Sequence, residues 1–532
     1  MQAAARAQRS GPRRYGRACA AVDTVLHQAV RAELETFLSE LHVHGRAPLP
    51  RYVLQAVRGY LKCGDFSHGF SRHQCRQCKH DVLVAFSCGE RNICPSCGVR
   101  RMDEVGSELV DRILPDVPFR QWVLSVPWDL SALAARKAQV LSALVRSLWR
   151  ALHKELISVS KEEDAETGVV TFVQRFGSSL NLHTHLHVLA PDGVFVRDGR
   201  GVRFVHVTVD RAMVERVVER AKKSMLRWLG KKGYLADRES APTEEPNGLG
   251  VCQQIALQYG QLVGLSSSQT KSGANRLDKK HHGSRHARTD DGFDLDANVA
   301  IAAGDDEGRE RVVRYCARPA IALEHLSKLP DGRFAYKTKY ARNGRSHRVM
   351  TGAELMARIA ALVPPPRFPL LRYSGVFSAA HTWRQWIVPK APKPSCDHAQ
   401  SDDPRNSPQS SSPPQYQDDN DPPAQPSELR SPYILTDAHL RRLLDGALVM
   451  TKSRATWAML LRRSLGIRGA QKGRWSPDEH PVLDCPTCHG RLELISVVKD
   501  KTEARRLLQH LGRPSEPPKV ALARDPTLDQ VA

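Results

Sequence analysis

From Asn181 to Ala190 the chain reads Asn-Leu-His-Thr-His-Leu-His-Val-Leu-Ala, with polar and apolar residues alternating. A period of two demands an extended strand, on which residues two apart share a face. His185 and His187 therefore stand side by side on one face. The other face, with Leu182 and Leu186 and a shift near Val188 and Leu189, is fit to meet a core. Two imidazoles on one strand face can hold one divalent metal. The plainer reading is a His-rich strand without metal, but clustered imidazoles are costly to hide without partners.

A second constraint comes from the cysteines, six of the chain's twelve falling within residues 63–97. Cys75-Arg-Gln-Cys78 and Cys94-Pro-Ser-Cys97 are two Cys-x-x-Cys knuckles. Two knuckles complete a tetrahedral zinc site, and four thiolates close its shell, so this zinc is expected to be structural. Cys63 and Cys88, with His68, His73 and His80 nearby, form either a second site or a set of unliganded thiols. Cys485-Pro-Thr-Cys488 supplies half a site with no partner evident from the sequence.

The 79 Lys and Arg against 57 Asp and Glu point to a polyanionic partner. No run of 18 apolar residues and no apolar signal core at the N-terminus is present, so a cytosolic chain with reduced thiols is expected. Helical spacing marks Val22–Leu41, a shorter segment leading to Leu61, residues 135–158 and Met213–Leu229. Strands are expected at Phe119–Val126, Val169–Phe176 and Val202–Val209, with Gly177-Ser-Ser turning the chain into the His strand and Asp192-Gly193 closing it. Residues 265–295 are basic and polar and read as a mobile loop. Residues 391–432, rich in Pro, Ser, Asp and Gln, read as a disordered linker, followed by a helix at 453–464. The expected division is a disordered N-terminus (1–20), a helical and zinc-binding domain (21–110), a catalytic domain (115–390), the linker, a small helical Cys-x-x-Cys region (433–515) and a disordered tail (516–532).

The His strand implies a way to cut DNA. A phosphodiester can be opened by a side-chain oxygen that stays covalently attached. A tyrosine serves if a metal polarises the phosphate. Such a centre needs a third ligand, and Gln174, on the strand before the Gly177 turn, offers an amide oxygen suited to magnesium or manganese. His183 competes, although it lies about 13 Å from His187 on a regular strand. For the nucleophile, Tyr315 sits in Glu310-Arg-Val-Val-Arg-Tyr-Cys-Ala-Arg318, a helix stopped by Pro319. Arg311 and Arg318 flank it at helical spacing and suit a phosphate. Tyr336 and Tyr340, on an alternating strand-like stretch with interleaved lysines, are rivals.

At these residues the chain resembles the transposases of the insertion sequence 91 family. The matching stretches are Gly69-Phe with the Cys75 knuckle, Leu83–Cys88, Cys94–Gly98 with Arg100-Arg-Met, Gln121–Ser125, Thr171–Ser178, the His185-Leu-His187 strand, Asp192-Gly193, Arg314–Pro319 and Leu362–Pro366. The resemblance implies an α+β chain: N-terminal helices and a zinc ribbon, then an HUH endonuclease domain whose central antiparallel sheet is flanked by helices. It implies nicking of single-stranded DNA at element ends through a 5′-phosphotyrosine, rolling-circle transposition, structural zinc and a catalytic magnesium or manganese. It also implies host replication partners and a nucleoid-associated location. By position His185 and His187 match the metal pair and Tyr315 the tyrosine motif. Several members carry a second tyrosine four residues earlier, where this chain has Arg311. The likeness is thus to the single-tyrosine branch, in which one tyrosine acts twice or two protomers act together as a homodimer. A relaxase or replication initiator shares the chemistry, but the zinc domain argues against it and no Gly-x-x-x-x-Gly-Lys loop is present. A zinc-dependent DNA-binding regulator with a decayed site would explain the charge and the cysteines alone.

Overall fold

The structure is a computed structural model, and it describes residues 24–90, 93–199, 201–235, 247–257, 285–342, 345–388, 485 and 487–524. The expected disordered N-terminus, the 391–432 linker, the helix at 453–464 and most of the 265–295 loop lie outside these residues.

Helix α1 (Val25–Val43) starts where Thr24 accepts a hydrogen bond from His27 N–H, and it buries Leu26, Val30, Leu34, Phe37 and Leu41. Side-chain capping and an apolar stripe at helical spacing are what make this segment a helix. Helix α2 (Arg51–Tyr60) follows Pro50, and strands β1 (Phe70–Cys75) and β2 (Asp81–Ala85) form an antiparallel hairpin. Helix α3 (Pro95–Arg112) begins with Pro95 in its first turn, where a missing N–H costs nothing, and with Cys94 as its cap.

Next come β3 (Phe119–Ser125), α4 (Trp128–Arg136), α5 (Ala138–Ser160), β4 (Ala165–Glu166), β5 (Gly168–Phe176), β6 (Leu182–Pro191), β7 (Gly193–Asp198), β8 (Gly201–His206), α6 (Arg211–Lys231) and α7 (Gly248–Leu257). The chain continues through β9 (His286–Arg288), β10 (Asp294–Ile301), α8 (Asp306–Cys316), β11 (Leu326–Lys328), β12 (Phe334–Arg342), β13 (Arg345–Met350), α9 (Gly352–Leu362), β14 (Leu371–Gly375) and α10 (Arg384–Ile387). The last described elements are β15 (Leu492–Val498) and α11 (Lys501–His510).

The α+β expectation holds. A six-stranded antiparallel sheet in the order β14-β5-β6-β3-β10-β9 forms the centre, with β6 between β5 and β3. Its two faces have different covers. Trp122, Leu124, Val173, Leu186 and Val188 pack with Val140, Leu144 and Leu148 of α5 and Val214, Val217 and Val218 of α6. On the opposite face Val170, Phe172 and Leu189 pack with Leu109 of α3 and Val313 and Cys316 of α8. The imidazoles of β6 share that second face, since side chains alternate along the strand. Helix α8 is thereby laid against the histidines.

Three expectations are refined. Asp192-Gly193 ends the His strand, which runs to Pro191, and the chain beyond it leaves the central sheet: β7 pairs with β4 and β8 in a separate one. The cause is tertiary, because Asp192 is buried and accepts from Nε and one terminal nitrogen of Arg120, at 2.9 and 2.6 Å. The long helix expected at 135–158 is α5, which starts at Ala138; residues 135 and 136 end the separate α4, and Lys137 between the two helices has an extended backbone. Within the basic 265–295 segment, His286–Arg288 is the edge strand β9, and Asp294 and Leu295 begin β10 beside it. No helix among the described residues is long and apolar enough to cross a membrane.

Candidate nicking centre and zinc sites

The β5–β6 hairpin brings the expected metal residues together. Gly177 opens its turn, donating to the Asn181 carbonyl at 2.9 Å, and a Cβ at Gly177 would stand 2.4 Å from the Asn181 amide oxygen. Only glycine fits there. In the register that follows, Gln174 pairs with His185 and Phe172 with His187. A β-bulge separates the Gln174–His185 pair from the Phe176–Leu182 pair, so β6 carries an extra residue next to His183. The rings of His183, His185 and His187 form a row with centroids 5.1 and 5.0 Å apart. Trp128, on α4, stacks on the His183 end at 6.5 Å.

Tyr315 lies at the other end of the row. Its ring meets the His187 ring edge-on at 5.6 Å, and the residue is 41% exposed. Gln174 fixes this approach: its amide nitrogen donates to the carbonyls of Tyr315 (3.2 Å) and Cys316 (2.8 Å) at the end of α8. Carbonyls only accept, so the amide orientation is determined, and the Gln174 oxygen is left as a buried acceptor with no hydrogen-bond partner. Helix α8 is also held from outside, where Arg314 pairs with the fully buried Asp103 of α3 at 2.7 Å.

Burial favours the neutral form of two of these imidazoles. Burial pushes His185 well below its ordinary range, assisted by His183, His187 and Arg318. Burial likewise lowers His183. Nδ1 of His185 lies 3.1 Å from the His183 carbonyl, which can only accept, so the proton sits on Nδ1 and the lone pair on Nε2. His187 has a different neighbour: the Gln121 amide nitrogen donates to its Nδ1 at 2.9 Å and to the Cys316 sulfur at 3.2 Å. The His185 Nε2 lone pair and the partnerless Gln174 amide oxygen are donors suited to a divalent ion, and His187 joins them through Nε2 when the Gln121 amide turns its oxygen toward Nδ1–H.

The flanking arginines differ. Arg318 lies past the end of α8, with its guanidinium 5.2 Å from the Tyr315 ring centre and 5.3 Å from that of Phe176. Its Nε is buried without an acceptor. Arg311, one turn before Tyr315, is exposed. Of the rival tyrosines, Tyr336 is buried and its hydroxyl accepts from Ala322 N–H at 3.1 Å, a packing role, and burial raises its pKa. Gln121 and the Arg314–Asp103 pair had no role assigned from sequence. Their partners lie on other strands and helices, and no local spacing could reveal them.

The cysteines pair differently from expectation. Cys75 and Cys78 do not meet Cys94 and Cys97. Instead, the sulfurs of Cys63, Cys88, Cys94 and Cys97 gather within 4.8 Å of one another, and so do those of Cys75, Cys78, Cys485 and Cys488. The reason is that the two knuckles belong to different structures: Cys75 ends a strand of the β1–β2 hairpin, while Cys94 caps α3 and faces the α1–α2 core. In the first group Cys63 lies 3.5 and 3.7 Å from Cys94 and Cys97, and Cys88 3.7 Å from Cys97. A tetrahedral zinc with Zn–S of about 2.3 Å spaces its sulfurs about 3.8 Å apart, so this group fits structural zinc.

Known proteins place the chain. Residues 31–126 match a family model described as "Transposase zinc-binding domain", and residues 168–384 match one described as "Putative transposase". A protein of Sinorhizobium fredii named "Putative transposase y4qJ" is 24% identical over 384 residues, covering 69% of this chain and 80% of that one. No solved structure matches. The first of the two family models is that of the insertion sequence 91 transposases, and it precedes the second here in a chain alike over most of its length to another transposase; the chain belongs to the insertion sequence 91 family of transposases.

Proposed function

We propose that this transposase nicks and rejoins single-stranded DNA at element ends through a 5′-phosphotyrosine on Tyr315, in rolling-circle transposition. The observation that carries the reading is the contact of the Tyr315 ring with His187, at the end of a row of three buried or half-buried imidazoles on one strand face. His185, His187 and Gln174 would hold a magnesium or manganese ion, which when bound supplies charge to polarise the scissile phosphate. The Tyr315 oxygen attacks phosphorus and the bond from phosphorus to the 3′ oxygen breaks. The tyrosine proton is lost to solvent, and the leaving strand takes up a proton as its free 3′-hydroxyl. Attack by a 3′-hydroxyl reverses the step and joins strands. Arg318 faces the tyrosine ring with its Nε buried and unpaired, and its guanidinium fork suits a non-bridging phosphate oxygen. Trp128 offers a half-exposed face on which a base can stack. The test is a labelled single-stranded element end, incubated with Mg²⁺ or Mn²⁺ and with chelator. A covalent adduct formed only with metal supports the reading, and its absence despite DNA binding favours the decayed regulator.

Two substitutions probe the parts. Arg318→Ala removes a charge-assisted hydrogen bond of about 1.5–3 kcal/mol, so nicking is expected to fall about 10- to 100-fold, with partial recovery in Arg318→Lys. Unchanged rates would remove Arg318 from the phosphate site. Gln174→Ala is expected to raise the Mn²⁺ concentration for half-maximal nicking by about 10-fold or more, and His183→Ala by much less. The opposite order would make His183 the third ligand, carried there by the bulge in β6.

The remaining partners follow from this reading. They are target DNA as the acceptor strand, the host replication machinery as the user of the freed 3′-hydroxyl, a second protomer to supply a second tyrosine, and a nucleoid-associated cytoplasmic setting.

A further inference from the structure

The Cys75-Cys78 and Cys485-Cys488 knuckles face one another across 407 residues of sequence separation, with Cys75 and Cys488 sulfurs 3.4 Å apart and Cys78 and Cys485 also 3.4 Å. They are built alike. Cys75 N–H donates to the His80 carbonyl and Cys485 N–H to the Gly490 carbonyl, five residues on in each case. Lys79 N–H returns to the Cys75 carbonyl and His489 N–H to the Cys485 carbonyl. The residue after the second cysteine is left-handed in both, with φ of +58° at Lys79 and at His489. A non-glycine residue with positive φ is uncommon, and its recurrence at the same place in both loops marks one motif used twice. Thr487 N–H also donates to the Cys485 sulfur at 3.4 Å, aiming it into the space between the loops. All four cysteines are free thiols. The two loops approach closely: a Cβ at Gly490 would stand 2.7 Å from the Gln77 amide oxygen and 3.1 Å from the Cys75 sulfur.

The strands complete the pattern. β15 pairs antiparallel with β1 from Cys75–Leu492 to Phe70–Val498, giving the sheet order β15-β1-β2. Two knuckles on a three-stranded antiparallel sheet make a zinc ribbon, here assembled from two distant parts of the chain. Among the described residues the apolar contact beneath is small: Phe70, Val498, Ala504 and Leu508 are buried there, with Leu492 beside the cysteines. So small a core is a weak anchor for a segment whose attachment closes so long a loop, and a metal clip is of greatest use there.

We propose that Cys75, Cys78, Cys485 and Cys488 bind a second structural Zn²⁺, separate from the Cys63 group, which locks the C-terminal segment onto the N-terminal module. The residues beyond β15 are then part of that module: α11 packs on it, and Ala521 N–H donates to the Arg31 carbonyl of α1 at 3.0 Å. The proposal does not depend on the nicking chemistry.

The test is elemental analysis of the full chain purified with zinc. Two zinc ions per chain are expected, one for each four-thiol group, and one in both Cys485→Ser/Cys488→Ser and Cys75→Ser/Cys78→Ser. Cobalt substitution should show the thiolate–cobalt absorbance halved in each pair variant. Cys488→His, which keeps a ligand, should restore the second ion, as a merely packing role for the thiol would not. In a chain carrying a specific protease site within 391–432, the cut C-terminal fragment should co-elute with the rest and be released by chelator. Full zinc content in both pair variants, or a fragment that stays bound after the metal is stripped, would overturn the proposal.

Discussion

Tyr315→Phe is expected to abolish the covalent DNA adduct and to lower nicking by at least about 10³-fold, the scale seen when a nucleophile is removed from an otherwise intact site. Little else should change. The phenyl ring keeps its edge contact with His187 and its place beneath the Arg318 guanidinium. The residue is 41% exposed, so loss of the hydroxyl opens no cavity and stability should move by no more than about 0.5 kcal/mol. DNA affinity should likewise stay within about two-fold, since phosphate charge contacts dominate it. The measurement is denaturing electrophoresis of labelled DNA with protein, beside a binding curve and a thermal melt. An adduct that persists would send the search to another tyrosine, though not readily to Tyr336, whose hydroxyl is buried and bonded to Ala322. The same variant bears on strand transfer. With arginine at position 311, one turn earlier on α8, no second tyrosine stands beside the first. A mixture of Tyr315→Phe and wild-type protomers that joins strands less than half as well as its wild-type content allows would mean that two protomers cooperate.

Much of the centre could be read from the chain because its signals are local. Alternation gave β6, helical spacing gave α1 and α6, Pro319 marked the end of the tyrosine helix, and Gly177 gave the turn that sets Gln174 opposite His185. What could not be read is set by pairing. Gln121 reaches His187 only because β3, and not another strand, lies next to β6. Asp192 resembles a turn residue until Arg120 claims it. Ser131 exchanges hydrogen bonds with the Thr184 backbone beside the bulge, so α4 supports β6 at a point no periodicity announces. The cysteines show the limit most sharply. A Cys-x-x-Cys loop states that two ligands point one way, and nothing in its sequence says which loop it faces. Spacing favoured the neighbouring knuckle, whereas the fold chose a partner from the far end of the chain.

That division has a consequence for stability. Loss of the Cys63, Cys88, Cys94 and Cys97 site is expected to unfold far more than a zinc loop. Structural zinc contributes an apparent binding free energy of about 10–16 kcal/mol in small domains. A native domain is stable by only about 5–15 kcal/mol. Here Cys63, Cys94 and Cys97 are buried in the same core as Leu26, Leu34 and Phe37 of α1, Val53 and Val57 of α2, and Leu355, Ile359 and Leu362 of α9. Phe176, Leu180 and Leu182, which bracket the hairpin turn before the histidines, belong to that core too. Cys94→Ser/Cys97→Ser should therefore yield protein that holds less zinc, is cut rapidly by protease across residues 24–110, and no longer nicks, although neither residue has a part in the proposed nicking step. Wild type stripped by a strong chelator should behave in the same way and recover on adding Zn²⁺. Removal of the Cys75 group should be milder, since it frees the C-terminal segment and leaves this core closed. A Cys94→Ser/Cys97→Ser protein with wild-type melting temperature and nicking rate would show that the core stands without its metal. The comparison with Tyr315→Phe separates the two kinds of loss: one removes the reacting oxygen from an intact fold, the other removes the fold that brings β6 to α8.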